Sequence, residues 1–173
     1  MNNNDILIRI RYALDLKETE LVDIFKTGGV ELTRHDVQER LVKSQDYSAD
    51  RDTSVDETAS TAENIECSNS ELVCFLNGLI IFKRGAQEPK ADQPAKDDFA
   101  IANNINNILL KKMKIALSLS SEDMLNIFES AEVIVTKGEL GALFRAQGHR
   151  NYKPCGDKFA RKFLKGLAVR YRT

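Results

Sequence analysis

The stretch CGDKFARKFLKGL, residues 155–167, repeats the frame of an earlier stretch, CSNSELVCFLNGL, residues 67–79. In each, a cysteine is followed by seven residues and then by Phe-Leu-x-Gly-Leu. Apolar residues recur at helical spacing through both stretches, which predicts one helix in each. A frame repeated in this way indicates that the chain contains two copies of one folded unit.

The repeat extends over most of the chain. Residues 3–41 align with residues 106–144 at an offset of 103, and the two cysteine stretches align at an offset of 88. The first copy therefore carries 15 additional residues between its third and fourth elements. Apolar spacing predicts four helices in each copy. Thr33-x-x-Asp36 and Thr136-x-x-Glu139 have the form of capping boxes at the start of the third helix.

We therefore predict an all-α, bundle-like protein of two homologous four-helix units in tandem, related by a pseudo-twofold axis or by a simple stack. The first unit is predicted at residues 1–84, a linker at 85–98, and a second, basic unit at 99–173. Within the first unit, residues 43–66 form a polar, acidic insert. Its composition, and that of the linker, predict mobile segments.

The repeated glycines, Gly78 and Gly166, need an explanation because a glycine inside a helix costs about 1 kcal/mol relative to alanine. We expect a close approach of another helix at both positions. Our hypothesis is that the two fourth helices cross there, or that each fourth helix crosses its own first helix. The other matched residues of the frame are expected to be structural: Cys67, Cys155, Phe75 and Phe163.

The composition is that of a globular protein, with 42% hydrophobic and 29% charged residues. No apolar run approaches the length of a membrane span, and Asn-Asn-Asn-Asp at residues 2–5 does not read as a secretory signal. The three cysteines fit reduced thiols in a cytosol. We therefore expect a cytoplasmic protein that does not insert into a membrane.

Three stretches resemble the YehS-like family, small bacterial proteins built from a tandem domain of unknown function. They are NDIL at residues 4–7, FLNGLIIFKRG at 75–85 and GHRNYKPCGDKFARKFLKGLA at 148–168. The resemblance covers the chain except the acidic insert, and implies a duplicated architecture and a bacterial cytoplasm. It supplies no catalytic residues and no cofactor.

Charge is distributed unevenly along the chain. Residues 1–86 carry a net charge of −6, whereas residues 99–173 carry +7. Five basic side chains fall within an arc of about 100° on the last predicted helix. This basic stripe consists of Lys158, Arg161, Lys162, Lys165 and Arg172. Such a face neutralises phosphates without reading sequence, although it also suits a solvated surface or docking onto the acidic half.

Two observations strengthen the interpretation of the stripe as an anion-binding surface. The matching positions of the first copy are mostly uncharged: Ser70, Val73, Cys74, Asn77 and Arg84. The shared fold therefore does not require the stripe. The preceding loop adds charges, hydrogen-bonding groups and an aromatic ring that could contact nucleic acid; these residues are His149, Arg150, Tyr152 and Lys153. The same loop could equally be an ordered connection whose tyrosine packs on the core.

Other chemistry is less well supported. Cys155 precedes a predicted helix start among basic residues, conditions that lower the pKa of a thiol, and His149 lies six residues before it. Cys67 holds the matching place without such support, which favours a structural role for both. The second and third helices suggest only a weak helix-turn-helix. Neither a metal-ligand spacing nor a phosphate-binding glycine loop is present in the sequence.

The sequence favours a protein without enzymatic activity and predicts no cofactor or metal. The favoured function is a non-enzymatic binding protein that engages an anionic partner, nucleic acid or a nucleoprotein, through the basic stripe. The alternative is a protein–protein adaptor, or a self-associating structural protein, whose acidic and basic halves meet complementary partners or each other. Partners left open are RNA, DNA, an acidic protein surface or a second copy of the chain.

Overall fold

The computed structural model describes residues 2–41, 65–85, 105–145 and 149–172. The predicted acidic insert and linker lie almost entirely outside these ranges. All regular elements within the described ranges are helices, which confirms the all-α prediction. Those before the linker are α1 (Asn3–Leu14), α2 (Glu18–Thr27), α3 (Arg34–Glu39) and α4 (Asn69–Arg84). Those after it are α5 (Ile105–Ala116), α6 (Ser121–Ser130), α7 (Lys137–Phe144) and α8 (Asp157–Tyr171).

Helix starts follow the capping signals in the sequence. The side chains of Thr33 and Thr136 accept hydrogen bonds from the backbone N–H groups of Asp36 and Glu139, at 3.1 and 3.2 Å. The carboxylates return the contact, so both predicted capping boxes are confirmed. Further capping boxes begin α1, α4 and α6. Each box satisfies backbone donors that would otherwise be unpaired at a helix start.

Buried apolar side chains from all eight helices form one hydrophobic core. Equivalent phenylalanines pack in equivalent ways in the two halves. The ring centroids of Phe25 and Phe75 lie 4.9 Å apart, and those of Phe128 and Phe163 lie 5.6 Å apart. All four rings are fully buried. This repeated geometry supports the duplication predicted from the sequence.

The packing between the two halves is reciprocal. Helix α1 packs against α8, the last helix of the second half, while α4 packs against α5, the first helix of the second half. By comparison, α1 makes little contact with α4, and α5 makes limited contact with α8. The first helix of each half is thus buried mainly by the fourth helix of the other. Reciprocal contacts of this kind fit a pseudo-twofold arrangement and not a simple stack.

The repeated glycines lie at helix crossings, but with a different partner from the one predicted. A Cβ added to Gly78 would lie 1.9 Å from the carbonyl oxygen of Ile24, and one added to Gly166 would lie 2.0 Å from that of Ile127. The crossings are therefore α4 on α2 and α8 on α6. The hypothesis that fourth helices cross each other, or their own first helices, at these glycines is wrong. A second glycine, Gly28, lies at the first crossing, where an added Cβ would meet the Cys74 carbonyl oxygen.

Candidate nucleic-acid interface

The loop that leads into α8 is anchored by two adjacent amides of α5. The side chain of Asn107 donates to the carbonyl oxygens of Leu143 and Lys153, at 2.9 and 3.0 Å, and accepts from the Cys155 N–H at 2.8 Å. The side chain of Asn106 donates to the Cys155 carbonyl oxygen at 3.1 Å. Because these backbone groups are buried or partly buried, the amides replace hydrogen bonds that water would otherwise make. The entry to α8 is thereby fixed.

The first half contains the same device. The Cys67 N–H donates to the side chain of Asn4 at 2.7 Å, and the side chain of Asn3 donates to the Cys67 carbonyl oxygen at 2.9 Å. Sequence reasoning aligned these asparagines with those of α5 but assigned them no role. The signal that could have linked them is that the asparagine pair and the cysteine both recur at aligned positions of the two copies. Both cysteines are buried, as a structural role would require.

Helix α8 lies between α1 and α6, which bury its apolar side. The buried residues on this side are Ala160, Phe163, Leu164, Gly166 and Leu167. On the basic stripe, Lys158 and Lys165 are exposed, whereas Arg161 and Lys162 are half-buried. The stripe is therefore a shallow surface flanked by neighbouring helices, with its positive charges facing outward from the core.

The C-terminal end of the stripe docks onto the first half of the chain. Arg172 donates to the carbonyl oxygen of Tyr12 at 2.9 Å, and its guanidinium lies 4.1 Å from the centroid of the Tyr12 ring. The same guanidinium lies 3.6 Å from the carboxylate of Asp15. Arg170, beside the stripe, pairs with Asp123 at 3.3 Å. Part of the positive charge of α8 is thus used within the chain.

The three lysines of the stripe differ from these arginines. Lys158, Lys162 and Lys165 have no ion-pair or hydrogen-bond partner among the residues that the structure describes. They span eight residues of helix, or about 10 Å along the axis. Their charges are therefore available to an external anion along one continuous face.

The loop residues predicted to assist the stripe lie at its N-terminal end. Arg150 and His149 are exposed, and the ring Nδ1 of His149 accepts from the Asn151 N–H at 3.1 Å. The Lys153 ammonium lies 5.7 Å from the Phe159 ring centroid. Tyr152 is half-buried, and burial raises the pKa of its phenol. The loop thus adds exposed charge near Lys158 but little free aromatic surface.

Neither of the two repeat-matched thiols is activated. Burial, followed by the carboxylate of Asp157, raises the pKa of Cys155 to about 12. Burial also raises the pKa of Cys67 to about 12. The prediction of a lowered pKa at Cys155 is wrong because its side chain is enclosed by the core and its neighbouring cations lie in solvent. A thiol that stays protonated at neutral pH is a poor nucleophile.

Neither a metal site nor a helix-turn-helix emerges from the described residues. No group of three or more His, Cys, Asp or Glu side chains among them is arranged to hold a metal ion. Residues 131–136 separate α6 from α7, a longer connection than the three- or four-residue turn of a helix-turn-helix. A cavity of about 480 Å³ between these helices contains none of the predicted site residues. None of the described helices is long and apolar enough to cross a bilayer.

The chain is an all-α protein with a repeated sequence frame and a basic last helix. Comparison with known proteins identifies its family. A family model described as "Protein of unknown function (DUF1456)" matches residues 3–85 and 106–173. The chain belongs to this family. It is similar to "Uncharacterized protein YehS" of Escherichia coli (strain K12), with 38% identity over 98% of this chain and 96% of that protein. No solved structure matches the chain. The match in two segments is consistent with a tandem domain.

Proposed function

We propose that the protein binds a polyanionic partner, nucleic acid, through the basic stripe of α8, without catalysing a reaction. The observation that carries the proposal is that Lys158, Lys162 and Lys165 face outward on α8 without partners among the described residues. The cytoplasmic location expected from the sequence is part of the same proposal.

The charge distribution supports this proposal over a generally solvated surface. Residues 145–173 contain nine basic residues and one acidic residue. At the equivalent positions of α4 the three lysines are replaced by Ser70, Cys74 and Asn77. A duplicated fold does not need the charges, so they are available for a separate role. Lysines arranged along a helix face bind phosphates by releasing counterions.

The adaptor alternative has one contact in its favour. Arg172 of the basic half meets Asp15 and Tyr12 of the acidic half. Complementary halves therefore already dock within one chain, as they could between chains. The contact involves only the end of the stripe and leaves the three lysines unused.

The test is fluorescence anisotropy of labelled single-stranded RNA, single-stranded DNA and duplex DNA, at low and higher salt. Reversal of three charges, Lys158→Glu/Lys162→Glu/Lys165→Glu, should abolish binding. For a single strand, three phosphate contacts contribute a salt slope of about −2 in log K against log[salt].

The matched control reverses three exposed lysines of the first half, Lys17→Glu/Lys26→Glu/Lys83→Glu, and so makes the same change in net charge. It should retain most of the affinity. Equal losses of affinity in both variants would show that binding depends only on overall charge, and would contradict a specific binding surface. If the wild-type protein binds no oligonucleotide at low salt, the adaptor alternative takes precedence.

A further inference from the structure

An exposed aromatic ring lies at the C-terminal end of the basic stripe. Tyr12, in the last turn of α1, keeps 56% of its surface accessible. The guanidinium of Arg172 lies 4.1 Å from its ring centroid and is anchored by a hydrogen bond to the Tyr12 carbonyl oxygen. The ring and the guanidinium therefore form one amphipathic platform, built from both halves of the chain.

Such a platform suits an unpaired nucleobase. Every base has a flat π-face, and proteins that bind single strands stack bases on exposed aromatic rings and arginines beside a basic track. The bases of an intact duplex are already stacked on each other and do not reach a side chain on a shallow surface. An aromatic platform next to lysines thus favours a single strand.

The position of α8 also favours a single strand over a duplex. A helix that reads duplex DNA enters the major groove and must stand out from its domain. Helix α8 instead lies between α1 and α6, and two of its stripe residues, Arg161 and Lys162, are half-buried. A flexible strand can follow such a surface, whereas a rigid duplex groove cannot close around it.

The platform is not a consequence of the repeated fold. Alignment of the two halves places Ile115 at the position of Tyr12 and Arg84 at that of Arg172. The equivalent place, between α4 and α5, thus has the arginine but no aromatic ring. The ring occurs on α1, the first helix that packs against the lysine-bearing α8.

We propose that the protein binds single-stranded nucleic acid, with phosphates on Lys158, Lys162 and Lys165 and a base stacked on Tyr12 beside Arg172. This inference rests on the proposed function and specifies its ligand. It predicts that binding at the lysines is sensitive to salt, whereas binding at Tyr12 depends on unpaired bases.

The experiment compares Tyr12→Ala and Tyr12→Phe with Tyr171→Ala as a matched control. Tyr171 is 40% exposed on α8, and the helical period places it on the opposite side from the stripe. Single-stranded RNA, single-stranded DNA and a duplex of the same sequence are titrated into each protein. We expect Tyr12→Ala to weaken single-strand binding about fivefold or more, with Tyr12→Phe and Tyr171→Ala close to wild type. Duplex binding should be weaker throughout and insensitive to Tyr12.

A direct readout follows from the absence of tryptophan in the chain. The Tyr12→Trp variant carries a single indole, and its fluorescence should be quenched by a single strand but not by the duplex. Salt-dependent binding with equal affinity in Tyr12→Ala and Tyr171→Ala, or without quenching, would overturn the stacking proposal and leave the basic stripe intact. Duplex binding as tight as single-strand binding would also overturn it. Absence of any binding by the wild-type protein would instead remove the proposed function itself.

Discussion

At Gly78 and Gly166, a hydrogen atom is the only side chain that the helix crossings accept. In each case the atom met by an added Cβ is a backbone carbonyl oxygen, which cannot rotate away. The helix must therefore move as a whole to accommodate even a methyl group. The intrinsic cost of a helical glycine, about 1 kcal/mol, is offset by the close packing that it permits.

Gly166→Ala should accordingly lower the free energy of unfolding by about 3 kcal/mol, the upper range for overpacking a core. The measurement is urea unfolding followed by circular dichroism. The matched control is Gly141→Ala in α7, where an added Cβ has no neighbour within 4 Å. The control should be neutral or stabilising because alanine favours a helix. Equal midpoints for wild type and Gly166→Ala would contradict the crossing.

The contacts that individual residues make in space could be predicted only in part from the sequence. The glycine frame correctly indicated close backbone approach, but spacing along one helix does not reveal which other helix crosses it. The asparagines of α1 and α5 occupy aligned positions of the two copies, yet their hydrogen bonds join residues far apart in sequence. The thiol pKa of Cys155 was misjudged for the same reason: the neighbours in sequence are cations, whereas the neighbours in space are apolar.

At the scale of elements, α3 and α4 are joined by a two-pronged ion pair. The guanidinium of Arg40 donates to both carboxylate oxygens of Glu71, at 3.0 and 3.2 Å. The hydrogen bonds from Arg40 hold the pKa of Glu71 below its usual value. The aligned positions in the second half are Leu143 and Phe159, so the same junction there is apolar.

Arg40→Leu should destabilise the protein by about 2 kcal/mol, since hydrogen bonds between charged groups contribute more than neutral ones. The control, Arg34→Leu, removes the first arginine of α3, whose side chain is 68% exposed in its pair with Glu18. We expect less than about 1 kcal/mol there. Thermal or urea unfolding of the two variants would distinguish these values, and a larger loss in Arg34→Leu would contradict the assignment.

The same pair has a defined pH dependence. Because the pKa of Glu71 is lower in the folded protein, its contribution is complete above the usual glutamate pKa of about 4.3 and is lost as pH falls through the lowered value. The difference in stability between wild type and Arg40→Leu should therefore shrink on acidification below pH 4.

Helices were the most predictable part of the molecule. Periodic apolar residues, together with hydroxyl residues three positions before carboxylates, located the start of α3, α4 and α7. These signals are local, and sequence carries them directly. The basic stripe was predictable on the same ground, because residues of one helix face are set by helical period alone. The contact between Tyr12 and Arg172 was not, because the two residues lie 160 positions apart in the sequence.

On the scale of the whole molecule, the reciprocal packing makes each half incomplete by itself. Without the second half, α1 loses the helix that buries it and α4 loses α5. The buried apolar residues of α1, which packs chiefly against α8, are Ile6, Leu7, Ile10 and Ala13. Burial of each isoleucine or leucine side chain contributes about 1.5–3 kcal/mol, so neither half retains a sufficient core.

Residues 1–85 and 99–173, produced separately, should therefore show little helix and no cooperative melting. An equimolar mixture should regain helical signal and a single transition, as measured by circular dichroism and size-exclusion chromatography. A cooperative, helical monomer from either half alone would contradict the interdependence of the halves.

The contact between α1 and α8 also has a consequence for biosynthesis. About 140 residues separate the end of the first helix from the start of the last. At an elongation rate of about 5–20 residues per second, α1 leaves the ribosome roughly 7–30 seconds before its partner is made. During that interval its apolar side is open to chaperones and to other nascent chains. Synthesis of α8, and not the emergence of the first unit, is thus the event that closes the fold.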